Sequence, residues 1–409
     1  MSDETLPARS RFYTPGSPEY TTSFADELNE EKQRIELGFV NLETLIAGGG
    51  ASEGSVVFST DYPNEFLEGV GFEAIEEYLV ANVTSWCPAL PADCLGASLD
   101  RFCDRFWLIG GGLVGSKRVY YSADGQAWTQ IADAPWGSRC FHGSFVYNNR
   151  LYVVGGKNGL FGNPAYTDVW YLYENPPGSG VFAWAQAAAN GGFGQRWLMS
   201  KPVFFDSKWW MVGGGVQLAA GYWPGTSDVY SSTDGASWSL VASNQFPERC
   251  LPFVTVHDNK LWVIFGSDLL SWWQYLFFGN AAAYMSSDIW TSDDGATWDR
   301  LVQRVTNVFA IGGKGIIKLD GRFLLNGTLA FNPFNGFWVT NMSDPDANPP
   351  GRHWYVAGNV TGNDVVGTME TVTHNNEHFC LRQADLYKVS FSKAPIQTFE
   401  GIYVYKRTT

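Results

Sequence analysis

Three segments of this 409-residue chain repeat one pattern. They read Val119-Tyr-Tyr-Ser-Ala-Asp-Gly-Gln-Ala-Trp-Thr129, Val229-Tyr-Ser-Ser-Thr-Asp-Gly-Ala-Ser-Trp-Ser239 and Ile289-Trp-Thr-Ser-Asp-Asp-Gly-Ala-Thr-Trp-Asp299. Each is a β-rich run, a Ser-x-Asp-Gly turn and a Trp three residues past the Gly. A second phrase precedes each one: Trp107-Leu-Ile-Gly-Gly111, Trp210-Met-Val-Gly-Gly214 and Trp262-Val-Ile-Phe-Gly266. A related copy, Tyr152-Val-Val-Gly-Gly156, precedes Asp168-Val-Trp-Tyr-Leu-Tyr173. The closing Trp recurs at 128, 184, 238 and 298, at intervals of 56, 54 and 60 residues. Self-similarity at a nearly constant period means a repeat architecture, in which one supersecondary unit buries its apolar faces against the next.

Each unit reads as four short strands. In the third these are Lys201–Phe205, Lys208–Val212, Asp228–Ser232 and Trp238–Ala242. The first two meet at a polar pair, Asp206-Ser207, with equivalents at Asn148-Asn149, Asp258-Asn259 and Asp320-Gly321. Asn and Asp tolerate the positive φ of a two-residue hairpin. Between the third and fourth strands, Asp124, Asp234 and Asp294 can accept turn N–H groups, while Gly125, Gly235 and Gly295 supply positive φ. Trp128, Trp238 and Trp298 then pack between neighbouring sheets. A repeating four-stranded antiparallel unit of this length predicts an all-β protein, a β-propeller. The blades fall at 98–132, 139–187, 196–242 and 249–302, with two weaker ones to follow. Six blades are expected, with five or seven as alternatives, because terminal repeats are atypical. Gly54–Ser59 is a candidate strand to close the ring against the last blade, whose fourth strand is read at Gly401–Lys406.

The order of these features resembles bacterial and phage kelch-like repeats: Arg, apolar strand, polar turn, Leu-Tyr/Trp-Val-x-Gly-Gly, then Asp-Val-Trp/Tyr-x-Ser-x-Asp-Gly-x-x-Trp. It also resembles the Asp-box turn of sialidases in a form one residue shorter. The match is best over 101–302 and implies a kelch-like propeller over 98–409. Fold does not dictate function, since propellers host many. Arg139, Arg196 and Arg249 stand in equivalent positions at the starts of first strands. In kelch-like repeats an arginine here bonds the backbone of a neighbouring blade, so the resemblance implies a structural role.

Aromatic residues make up 16% of the chain, which suits wedge-shaped blades and sugar binding alike. The net charge is −14 and offers no basic stripe for phosphates, so no nucleic-acid partner is expected. No apolar run is long enough to span a membrane. Met1-Ser-Asp-Glu-Thr-Leu lacks the basic and apolar regions of a secretory signal. Of the six cysteines, Cys140 and Cys250 share a repeat position that Trp197 fills in the unit between, which reads as a buried small residue. Cys87 and Cys94 have a spacing that would suit a local disulfide or half a zinc site, but no second Cys/His pair follows, so no metal and no cofactor are expected.

Residues 1–50 fall outside the repeats. Met1–Thr22 reads as extended, and Phe24–Ile46 as a helix with Leu28, Ile35 and Leu42 at heptad spacing, a short oligomerising seam. Gly48-Gly49-Gly50 is a hinge, and the connecting segment 51–97 includes a short helix over Glu73–Val83. The stretch Phe24-Ala-Asp-Glu-Leu-Asn followed by that helix resembles the N-terminal anchoring segments of phage tail-fibre and appendage proteins. That resemblance implies a virion location, homo-oligomerisation and attachment to other virion proteins.

No catalytic constellation emerges. The three arginines have no Tyr–Glu pairing at sialidase-family spacing, and the five histidines form no copper ligand set. No Gly-x-Ser-x-Gly elbow occurs. The connections between second and third strands are long and aromatic, whereas the other turns are tight. Phe161, Tyr222, Trp223, Trp272, Trp273 and Tyr275 therefore form an expected contact set for a host surface glycan or protein. The expected function is a non-catalytic virion adhesin. A glycan-active hydrolase, either depolymerase or sialidase-like, and a purely structural virion subunit are the alternatives.

Overall fold

The computed structural model describes residues 56–59, 72–74 and most of 78–303, with 160–164, 217–223 and 267–285 excepted, and then the strands from 312–319 to 403–407. Among these residues six sheets have four strands each, all antiparallel where the register is given. The first sheet comprises Ser98–Phe102, Arg105–Ile109, Val119–Ser122 and Thr129–Gln130. The second comprises Gly143–Tyr147, Arg150–Val154, Val169–Glu174 and Phe182–Ala188. The third holds Val203–Phe205, Lys208–Val212, Val229–Ser232 and Ser239–Ala242. The fourth holds Phe253–His257, Lys260–Ile264, Ile289–Ser292 and Asp299–Val302. The fifth is Gly312–Leu319, Arg322–Thr328, Gly336–Asn341 and Trp354–Asn359. The sixth takes Glu370–His374, Glu377–Arg382 and Asp385–Ala394, and its fourth strand is Tyr78–Cys87 from before the first sheet. First strands of neighbouring sheets run side by side from the third sheet through the sixth, and the sixth and the second flank the first. The chain is a β-propeller.

The turns follow from their residues. Asn148-Asn149, Asp206-Ser207 and Asp258-Asn259 all have positive φ at both positions, and so do Cys103-Asp104 and Asn375-Asn376. Asp320-Gly321 lies outside the described residues. In each Asp-Gly turn the carboxylate is a local cap. Asp234 Oδ1 accepts the N–H groups of Ala236 and Ser237, both at 2.8 Å, and Ser232 Oγ accepts Gly235 N–H at 2.8 Å. Asp124 and Asp294 repeat this arrangement. The glycine is needed twice over. Gly295 has φ of 73°, and an added Cβ would lie 2.1 Å from the Trp210 ring of the preceding sheet.

The core sits between sheets. Trp238 packs with Phe145, Tyr152 and Val154 of the second sheet, and Trp298 with Phe205, Trp210 and Val212 of the third. Trp128, half-buried, lies against the cluster that holds Phe379, Leu381 and Leu386 of the sixth. The second sheet lacks the Asp-Gly turn. There Glu174 takes over, accepting the N–H groups of Gly178 and Gly180 at 2.7 and 2.6 Å, and Trp184 packs edge-on to Trp136.

Three sequence expectations are corrected. Glu73–Val83 is not a helix: Phe72–Ala74 and Tyr78–Cys87 are strands. The vacant edge of the sixth sheet draws in the β-branched and aromatic run ending at Trp86, whose indole donates to Asp124 O at 2.8 Å. Val56–Ser59 does not close the ring, and Tyr403–Arg407 is not the fourth strand of the last blade. Tyr403–Arg407 instead pairs with both Val56–Ser59 and Phe72–Ala74 as the central strand of a separate three-stranded sheet. That sheet belongs to one compact unit of the chain, and residues 79–392 form the other. The arm over 1–50, with Leu28, Ile35 and Leu42, lies outside the described residues.

Candidate functional site

First strands begin, and second strands end, on one face of the ring. The repeated arginines stand there. Arg139 is fully buried and grips Asp168 with two bonds, 2.9 and 3.0 Å, while Nη1 also donates to Gly155 O at 2.9 Å. Arg196 reaches Asp228 and Gly213 O, both at 2.8 Å. Arg249 reaches Asp288 at 2.9 Å and Phe265 O at 3.0 Å. Burial alone would raise the Asp228 carboxyl, but Ser243 and Arg196 outweigh it and hold that group below the usual carboxylate range. These side chains bond within their own sheet. The contact with the neighbouring sheet is made by the main chain: the carbonyls of Arg139, Arg196 and Arg249 accept from Gly111, Gly156 and Gly214 at 2.9, 2.9 and 3.0 Å. This explains the Gly-Gly phrase. A Cβ on Gly110, Gly155 or Gly213 would come within 2.7, 2.7 and 2.8 Å of the same carbonyls.

Each of three long connections is bounded by a main-chain bond between described residues on either side of it. Tyr166 N–H donates to Gly156 O at 2.8 Å, Val216 N–H to Pro224 O at 3.1 Å and Ser286 N–H to Gly266 O at 3.2 Å. The expected contact residues Phe161, Tyr222, Trp223, Trp272, Trp273 and Tyr275 all fall within these connections and lie outside the described residues. Cys140, Phe141, Ala165, Trp197 and Cys250 form one buried cluster. Burial pushes the Cys140 thiol up to about 12, as befits a packing residue rather than a nucleophile. Lys157 lies over the Trp197 ring at 4.4 Å, and burial draws its ammonium down to about 8.

Deeper on the inner strands lies a group of charges that belongs to no repeat. Lys201 Nζ meets Asp100 Oδ1 at 2.9 Å, Glu370 Oε2 at 3.2 Å and Leu99 O at 3.0 Å. Burial lowers the Lys201 ammonium, but the two carboxylates outweigh it and raise its pKa. Lys314 Nζ stands 3.5 Å from Glu370 Oε1 and donates to His142 O at 2.5 Å. His142 Nε2 is 3.1 Å from Ser98 Oγ. Sheets one, two, three, five and six thus meet in one hub. Asp100, Glu370 and His142 are 4%, 1% and 0% exposed. The sequence carried no sign of this hub, because none of its residues recurs with the period. Asp168, Asp228 and Asp288 could have been found, since each opens a third strand.

Among the described residues no group of three or more His, Cys, Asp or Glu is placed to hold a metal ion. The kelch motif matches residues 138–172. The solved structure of YjhT superposes with a TM-score of 0.51 at 14% identity, covering 75% of this chain and 96% of that one, a likeness of fold. No curated protein matches the chain.

Proposed function

We propose that this propeller is a non-catalytic recognition protein of a phage virion, a tail-fibre or appendage adhesin for a host surface glycan or protein. Each four-stranded sheet is read as one blade, which gives six. The observation that carries the recognition half is the asymmetry of the faces. Three long connections between second and third strands, rich in Trp, Tyr and Phe by sequence, belong to one face, and two-residue turns close the described first-to-second hairpins on the other. Large flat groups with a polar edge suit stacking on sugar rings or filling a protein pocket. The virion half rests on the N-terminal segment with its Leu28/Ile35/Leu42 seam.

Replacing Trp272 and Trp273 with Ala should abolish adsorption to host cells, with the circular dichroism spectrum and particle assembly unchanged. Normal adsorption would sink the recognition reading, and failed assembly would favour a purely structural subunit. A second expectation concerns the arm. A chain beginning at Ser52 should keep its fold and become monomeric in analytical ultracentrifugation. An unchanged oligomeric state would move the subunit contacts into the propeller.

One observation favours the hydrolase alternative: two acids, Asp100 and Glu370, share the hub. Both are held by Lys201 and buried, an arrangement that suits structure better than proton transfer to a glycan. Sugar release from host capsule that disappears in Glu370→Gln would replace the adhesin reading.

A further inference from the structure

In a ring of repeats each blade ordinarily touches only its two neighbours. The hub breaks that rule. Lys201, two residues before the first strand of the third sheet, is tied to the first sheet through Asp100 and Leu99 O and to the sixth through Glu370. Lys314, on the fifth, is tied to the sixth through Glu370 and to the second through the His142 carbonyl. His142 is itself bonded to Ser98 of the first sheet and sealed in, with its ring 3.0 Å from where a Cβ on Gly110 would stand.

The charges that act on His142 most strongly are cations: Lys314 from the fifth sheet, Arg139 from its own segment and Lys201 from beside the third. The two acids of the hub, Asp100 and Glu370, are already engaged by the lysines. Two lysines already balance the two carboxylates, so a proton on His142 would add a third buried cation in excess of them. A charge buried without a partner is costly enough to move the structure rather than be tolerated.

We propose that the hub is a proton-operated lock: with His142 neutral, the inner strands of five sheets are tied across the ring axis, and a proton on His142 releases them. The sign follows from linkage. Burial, then Lys314, Arg139 and Lys201, hold the His142 pKa well below 6.5 in the folded protein. The stabilisation is therefore whole above pH 6.5 and is lost as pH falls from there toward the folded value. The opening equilibrium rises by up to about tenfold per pH unit.

Hydrogen exchange of the full chain, read by mass spectrometry at pH 7.5, 6.0 and 5.0 and corrected for intrinsic rates, tests this. Protection of Ser98–Phe102, Gly143–Tyr147 and Glu370–His374 should fall with pH, while Phe253–His257 of the fourth sheet holds. His142→Gln, which can still bond Ser98 but takes no proton, should flatten that dependence. The same fall in His142→Gln, or an equal loss in the fourth sheet, would overturn the lock. Should His142→Gln not fold, exchange at the imidazole C2–H of the wild-type protein decides. His142 should not titrate near pH 6.5, and an ordinary midpoint there would overturn the proposal.

Discussion

Trp238→Ala should lower the free energy of unfolding by about 3–5 kcal/mol, the usual cost of emptying a buried indole site. Trp238 is 4% exposed and bridges two sheets: its indole donates to Gly235 O at 3.2 Å, and its rings sit 6.0 Å from those of Phe145 in the sheet before. The space cannot be refilled from its own side, because Gly235 has no side chain and the adjoining Phe145 is already held against Tyr152 and Trp209. Asp234→Ala should cost less, on the order of 1 kcal/mol, since the freed N–H groups of Ala236 and Ser237 are exposed and turn to water. Chemical denaturation followed by Trp fluorescence of other sites, or by circular dichroism, measures both. Equal, negligible shifts would mean that the repeat has been misaligned.

Arg249→Met should cost a comparable amount, about 3–5 kcal/mol, for a different reason. The arginine is fully buried, and its loss strands Asp288 with Trp290 Nε1, 2.8 Å away, as its remaining side-chain donor. Phe265 O and Pro247 O lose a donor as well. The penalty comes mainly from the uncompensated carboxylate, so Arg249→Met combined with Asp288→Met should recover more than half of it. A double-mutant cycle in urea gives the coupling directly. A single substitution costing under about 1 kcal/mol would show that the pair is solvated after all.

What could be read from the sequence was whatever the period repeats. Asp124, Gly125 and Trp128 answer a demand of backbone geometry that each unit makes again, and so do Arg139 and the paired glycines that sit against its carbonyl. The aromatic connections between second and third strands were legible as composition. Glu73-Ala-Ile-Glu-Glu-Tyr-Leu-Val-Ala-Asn-Val83 misled because Ala, Glu and Leu favour a helix locally. The free edge of the sixth sheet supplies hydrogen bonds that outweigh a propensity worth only tenths of a kcal/mol per residue. The hub was hidden for the opposite reason. Asp100, His142, Lys201, Lys314 and Glu370 each occur once, on different units, and only the closed ring brings them together.

The completion of the sixth sheet by Tyr78–Cys87 also has a temporal side. On the ribosome this segment is made roughly 300 residues before Asp385–Ala394, the strand it must lie against, and a contact of that separation is slow to form. Until then the nascent chain carries a ten-residue strand with nothing to pair with, while the earlier sheets can already stack in order of synthesis. Completion of the sixth sheet is therefore the return of an early segment to a late one. A chaperone that shields Tyr78–Cys87 would act on the step most exposed to mispairing between two newborn chains.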